Sequence, residues 1–151
     1  MRHLIVLIVL VAASAAALAA SQPSPNKTEY LVSTGAGFML SREEGVGYGM
    51  NYDVIKPLPG QIYCVAIFES TDGKGAPLTK ELVVPAEAKE IQVRSPGSRT
   101  IRNNRRYLVK LMLYLDAEHT KLLSEHDQEV LFQYPRSMAK DLREQFGVEV
   151  R

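Results

Sequence analysis

The side chains best suited to chemistry near neutral pH are imidazole, carboxylate and thiol, and this chain carries few of them in useful company. Its histidines are His3, His119 and His126, and the last lies in the polar run Ser124-Glu125-His126-Asp127-Gln128-Glu129. Imidazole nitrogens and a carboxylate oxygen are metal ligands, so His119, His126 and Asp127 together would make a small metal-binding protein or hydrolase. Their spacing argues against it. Seven residues across a loop and a strand is not a recognised ligand interval, and neighbours on a strand point to opposite faces. A solvated strand face explains the same letters. Glu43 and Glu44 are adjacent in a loop and read as hydrated acids. The chain has no Gly-x-Ser-x-Gly elbow, no His-Glu-x-x-His and no phosphate-binding glycine loop. No catalytic residue and no cofactor are expected.

A more distinctive feature is basic. Between Glu90 and Asp116 there is no acid, while Arg94, Arg99, Arg102, Arg105, Arg106 and Lys110 accumulate. The planar guanidinium fork suits phosphate, sulfate and carboxylate groups. The five arginines are therefore the candidate partner-binding residues, for an envelope protein with an acidic patch, an anionic glycan or lipid headgroups. The competing reading is a hydrated loop balanced by the acids of the following segment, Glu118 to Glu129.

The elements that must position these groups are short apolar or alternating segments separated by turn residues, the pattern of an all-β sandwich. Tyr30 to Thr34 and Phe38 to Ser41 read as two short strands split by Gly35-Ala36-Gly37. Val46, Tyr48, Met50, Tyr52 and Val54 alternate with Gly45, Gly47, Gly49, Asn51 and Asp53, which places the large residues on one face. The bare glycine face fits a twisted strand, or one approached closely by a backbone or a flat ligand. Gln61 to Glu69 is apolar on both faces, as a central strand would be. Leu82-Val83-Val84 and Ile91-Gln92-Val93 are two further short strands. Tyr107 to Leu115 is the strongest, with Tyr107, Val109, Leu111, Leu113 and Leu115 on one side, and Leu122 to Phe132 is its hairpin partner. After Pro135, Met138, Leu142 and Phe146 recur at i, i+4 and i+8 with Gly147 closing the run, which is a short amphipathic helix suited to docking on its own domain or on a partner.

The segment Arg106-Tyr107-Leu108-Val109-Lys110-Leu111 resembles the penultimate strand of immunoglobulin-like and fibronectin-type-III-like domains, where a tyrosine opens an alternating strand. The resemblance implies an antiparallel sandwich of about seven strands, with the Tyr107 hydroxyl tying down the preceding corner. It implies no activity. Tryptophan and a cysteine pair, both usual in such domains, are absent.

The amino end addresses the chain. Met1-Arg2-His3 is a short positive start, Leu4 to Val11 an aliphatic run, and Ala17-Leu18-Ala19-Ala20 a small-residue close, the three-part layout of a signal peptide over residues 1–20. A membrane-crossing helix needs about 20 apolar residues, and this run falls short. Residues 21–29 read as a flexible leader, 30–134 as the sandwich and 135–151 as the helix and tail. The 18 Lys and Arg include Arg2, so loss of the signal leaves 17 against 17 acids, a formally neutral domain with no field for collecting nucleic acid. Cys64, the one cysteine, lies in Ile62-Tyr63-Cys64-Val65-Ala66-Ile67-Phe68 and reads as a buried structural thiol. A periplasmic or secreted binding protein is expected, an accessory subunit of an envelope assembly among the options.

Overall fold

A computed structural model describes residues 27–151 of the chain; the signal segment and the first part of the leader lie outside the described residues. Nine strands and one α-helix follow in the order β1 (Leu31–Ser41), β2 (Gly45–Val54), β3 (Ile62–Phe68), β4 (Leu78–Val84), β5 (Glu90–Arg94), β6 (Thr100–Ile101), β7 (Arg105–Tyr114), β8 (Leu122–Phe132), α1 (Ala139–Phe146) and β9 (Glu149–Val150). Seven of the strands form two antiparallel sheets, ordered β1-β2-β5 and β4-β3-β7-β8. This is an all-β sandwich with one short helix near its carboxyl end.

Period-two alternation decides which side chains fill the space between the sheets. From β2 come Val46, Tyr48, Met50 and Tyr52; from β3 Ile62, Cys64, Ala66 and Phe68; from β7 Tyr107, Val109, Leu111 and Leu113, all buried. Aromatic rings bridge the layers. Tyr48 meets Phe68 edge-on at 5.6 Å and Tyr107 at 5.5 Å between ring centroids, and Phe38 meets Phe132 at 4.7 Å. Such pairs add about 0.5–1.5 kcal/mol each beyond the area they bury.

Several boundaries differ from those expected. The two strands foreseen around Gly35-Ala36-Gly37 are one strand, β1, which passes through the glycines with a register shift between Ser33 and Gly35. Strand β4 begins at Leu78, because its Thr79-Lys80-Glu81 pairs along β3 as an edge. Lys80 sits on the side of β4 that faces inward on the neighbouring strand, a charge that discourages edge-to-edge association. Leu115, expected in line with Leu113, lies past the end of β7 and is exposed. The last leader residues are also ordered: Lys27 bridges to Val32, and the Glu29 carboxylate pairs with Lys56.

The carboxyl end is stitched into the sandwich. A single 3₁₀ turn, Arg136–Met138, leads into α1, whose Leu142 and Phe146 are buried with Val148 in the main core. Gly147 ends the helix in the left-handed conformation, φ 62°, with its N–H on the Arg143 carbonyl. Strand β9 then pairs in parallel with β6. No helix among the described residues is long and apolar enough to cross a membrane.

Candidate functional site

The five candidate arginines do not form one surface. Arg99 is used internally: its guanidinium donates to the Phe146 carbonyl at 2.6 Å and to the carbonyls of Arg42 and Glu43, joining the α1 terminus to the β1–β2 turn. Arg106 lies 3.9 Å from Glu129, and the neighbouring Lys110 bonds Glu125 at 2.6 Å and Asp127 at 3.6 Å. Pairing with Glu125 raises the Lys110 pKa. These acids stand on β8 beside β7, so hairpin register brings opposite charges into rows. Arg94 is exposed at the end of β5.

Arg102 and Arg105 are held together. A β-carbon built on Gly73 would lie 3.1 Å from Arg102 Cζ and 3.1 Å from Arg105 Nη1. Gly73, at φ 69°, is the tip of the turn between β3 and β4, and its missing side chain is what lets both arginines fold onto it. Arg105 is oriented by an ion pair with Glu69 and lies 5.6 Å over the Tyr107 ring. Below them the Tyr107 hydroxyl accepts the Arg102 N–H at 2.9 Å and is 3.2 Å from the Thr71 carbonyl, its acceptor. That is the corner tie expected of this tyrosine, with burial raising its pKa. Within the turn, one Asp72 oxygen accepts the Lys74 and Gly75 amides and the Ser70 hydroxyl, holding its pKa down at about 2.

The histidines are separated. His126 faces the sandwich interior, buried, with its ring edge-on to Tyr52 at 4.9 Å. Asp127, next along β8, faces outward to Lys110. His119 sits in the β7–β8 turn at φ 55° against the Tyr114 ring. Strand alternation thus turns His126 inward and Asp127 outward, and His119 lies outside the strand, in the turn. Among the described residues no group of three or more His, Cys, Asp or Glu is arranged to hold a metal ion. Cys64 is fully buried, and desolvation pushes its thiol up to about 12, so it remains protonated and inert.

The glycines of β2 lie close to backbone. The chain leaving β5 continues alongside this strand, with the Ser98 carbonyl accepting the Val46 N–H and the Ser98 N–H returning to the Val46 carbonyl, both at 2.8 Å. A β-carbon at Gly45 would come within 2.1 Å of the Ser98 oxygen, and one at Gly49 within 2.3 Å of the Val93 oxygen. Close approach of neighbouring backbone accounts for these glycines.

One surface escaped sequence reasoning. The β4-β3-β7-β8 sheet turns Tyr63 and Ile67 of β3 and Leu108, Met112 and Tyr114 of β7 away from the core, half-buried or exposed, while Val65 on the same face is buried. Register sets Val83, Tyr63 and Tyr114 in one cross-strand row, with Leu122 at its end. Val83 is 57% exposed, Leu122 52% and Leu108 40%. Glu81 and Glu125 flank the next row, which holds Val65 and Met112. The signal was present in the two-faced apolarity of Gln61 to Glu69: β3 is the central strand that this pattern indicates, and its outward side chains are apolar as well. A two-layer sandwich covers only one face of each sheet.

A cleft of about 460 Å³ lies between the β6–β7 corner and the carboxyl tail, lined by Asn103, Tyr134, Pro135, Arg136, Val150 and Arg151 among others. Its lining holds no histidine, cysteine or acid. The Asn103 side chain is spent clamping the Tyr134 backbone, donating to its carbonyl at 2.8 Å and accepting its N–H at 2.7 Å.

No family model matches the chain, and no curated protein does. Among solved structures it is similar to a β-glucuronidase of Bacteroides uniformis, at 14% identity and a TM-score of 0.40 over 66% of this chain. The same values hold for Bacteroides uniformis β-glucuronidase 2 covalently bound to cyclophellitol-6-carboxylate aziridine. In each case this chain covers 13% of the other, and so distant a likeness carries no argument about activity.

Proposed function

We propose that this chain is an exported, non-enzymatic binding protein of a bacterial-type cell envelope, and that a protein partner docks on the outward face of its four-stranded sheet. The observation that supports this most is the composition of that face. Tyr63, Ile67, Met112 and Tyr114 form an apolar centre, rimmed by Glu81, Glu125, Asp127 and Lys110. Tyrosine and methionine are enriched at the cores of protein interfaces, and charges at their rims. An open apolar face on a sheet that needs no further cover for its own fold marks an interaction surface. The signal-like amino end supports export, and the separation of His119, His126 and Asp127 supports binding over metal chemistry. The fold also fits the fibronectin-type-III-like reading: the fourth strand pairs with the third, and Tyr107 ties its corner.

The test is crosslinking of the tagged protein in its native envelope, comparing wild type with the double variant Ile67→Glu, Val83→Lys. Ile67 is cross-strand from Lys110 and Val83 is largely exposed, so both substitutions suit a folded protein. A specific crosslinked species lost in the variant supports the proposal. The same species retained at equal yield by a folded variant refutes it.

A further inference from the structure

We infer that Arg102 and Arg105 form a binding site for a single oxyanion, a carboxylate, sulfate or phosphate group carried by a ligand, at the loop end of the sandwich. The site is independent of the outward sheet face. Both guanidinium groups come within 3.2 Å of one point, the β-carbon position above Gly73, and are therefore no more than about 6 Å apart. Two like charges brought this close repel unless a counter-charge lies between them. Glu69 answers only one: its carboxylate pairs with Arg105 Nη2 and also accepts the Leu108 N–H. The guanidinium of Arg102 makes no hydrogen bond or ion pair among the described residues. Arg105 Nη1, the nitrogen turned toward Arg102, is likewise without a described hydrogen bond. Asp72, the other acid of the turn, is engaged by its own loop through the Lys74 and Gly75 amides and Ser70.

Arg105 is also fixed in advance, and Arg102 is fixed at its backbone. Neither arginine is fully extended into solvent. Arg105 is steered by Glu69 and the Tyr107 ring, and Arg102 springs from the backbone that the Tyr107 hydroxyl holds. Prior ordering of long side chains removes much of the entropy cost of binding. Charge-assisted hydrogen bonds run about 2.8 Å, so one oxyanion seated between guanidinium groups no more than about 6 Å apart reaches both. Summed over Arg102, Arg105 and Lys74 against Glu69 and Asp72, the neighbourhood is net positive by one on a formally neutral domain.

The experiment is NMR titration of the full chain with sodium sulfate, phosphate and acetate in parallel, at ionic strength held constant with chloride. The Gly73 amide and the Nε–H signals of Arg102 and Arg105 should move together and saturate with one shared dissociation constant. Arg102→Gln should weaken that constant at least tenfold while leaving the rest of the spectrum folded, and Arg94→Gln should leave it unchanged. Preference among the three salts then assigns the group: acetate points to carboxylate ligands, sulfate or phosphate to the corresponding esters. Absence of saturation with all three, or equal affinity in Arg102→Gln, overturns the inference. Ile67→Glu, Val83→Lys should still bind the anion, so this site and the sheet-face proposal fail separately.

Discussion

Replacing Tyr107 with phenylalanine removes one oxygen atom and tests what holds the loop end in place. The ring is fully buried and packs against Phe38 and Tyr48, contacts that phenylalanine keeps. The hydroxyl is the acceptor for the Arg102 N–H at 2.9 Å and lies 3.2 Å from the Thr71 carbonyl. Its loss leaves a backbone donor and a buried acceptor unmet. Each unmet buried group costs about 1–3 kcal/mol, and the Arg102 side is partly open to water, so a total near 2 kcal/mol is expected. For a domain of about 125 residues the unfolding entropy converts each kcal/mol into roughly 4 °C, which puts the fall in Tm near 8 °C.

Urea and thermal melts of Tyr107→Phe against wild type measure this, with an unchanged m-value showing that the native state stays compact. Amide exchange supplies the local readout. The Arg102 N–H should lose most of its protection, whereas amides in the centre of β3 and β7 should fall only by the global loss of stability. Arg102→Ala is the control: it keeps the N–H and the hydroxyl contact, and should change Tm by no more than about 2 °C, in keeping with a surface substitution. A destabilisation under about 0.5 kcal/mol in Tyr107→Phe, or Arg102 protection unchanged, would refute the corner as the fastening of this loop.

Two further outcomes follow from local geometry. Gly49→Ala should destabilise by about 1–3 kcal/mol in urea melts, because the new carbon meets the Val93 oxygen at 2.3 Å; Gly37→Ala, with nothing within 4 Å, should be neutral or slightly stabilising. Asp72 is depressed to about 2, so the fastening of its turn is complete above the ordinary aspartate range near 3.8 and is lost as pH falls through about 2; the Lys74 and Gly75 amide shifts should titrate with that lower midpoint, and a midpoint near 3.8 would show the turn bonds to be absent.

Much of the fold was legible because its core strands carry their pattern in plain letters. Val46-Gly47-Tyr48-Gly49-Met50 alternates without interruption, the Leu122 to Phe132 strand matches its observed limits, and Met138, Leu142, Phe146 and Gly147 mark a helix and its stop. Strands β6 and β9, two residues each, are too short to carry any period. Gly35-Ala36-Gly37 looked like a break, yet glycine accepts strand geometry when a partner strand supplies the register, as β2 does here. Site residues were harder to read. The charge of Arg99 announces a surface group, but its partners are three backbone carbonyls 47 to 57 residues away, which no local pattern reveals. His126 sits among polar letters, and its burial follows only from the pairing that sets it opposite Leu111.

The basic run therefore divides by what each side chain meets. Exposed ion pairs such as Arg106 with Glu129 contribute only about 0–1 kcal/mol, so their main effect is to cancel charge over the β7–β8 hairpin. The pairing of Arg105 with Glu69 does something different, because Glu69 is itself fixed to both sheets. Its carbonyl accepts the Tyr48 hydroxyl from β2 at 2.6 Å, and its N–H donates to the Leu108 carbonyl of β7 at 3.1 Å. The carboxylate that aims Arg105 is thus tied to the core of the sandwich, and Arg102 is tied to the same core through Tyr107. A site is most selective when its charged groups are held by rigid elements instead of by mobile loops. Tyr48, Glu69 and Tyr107 supply that rigidity, so a stretch in which positive charge outruns its local counter-charge is also one that the hydrophobic core positions directly.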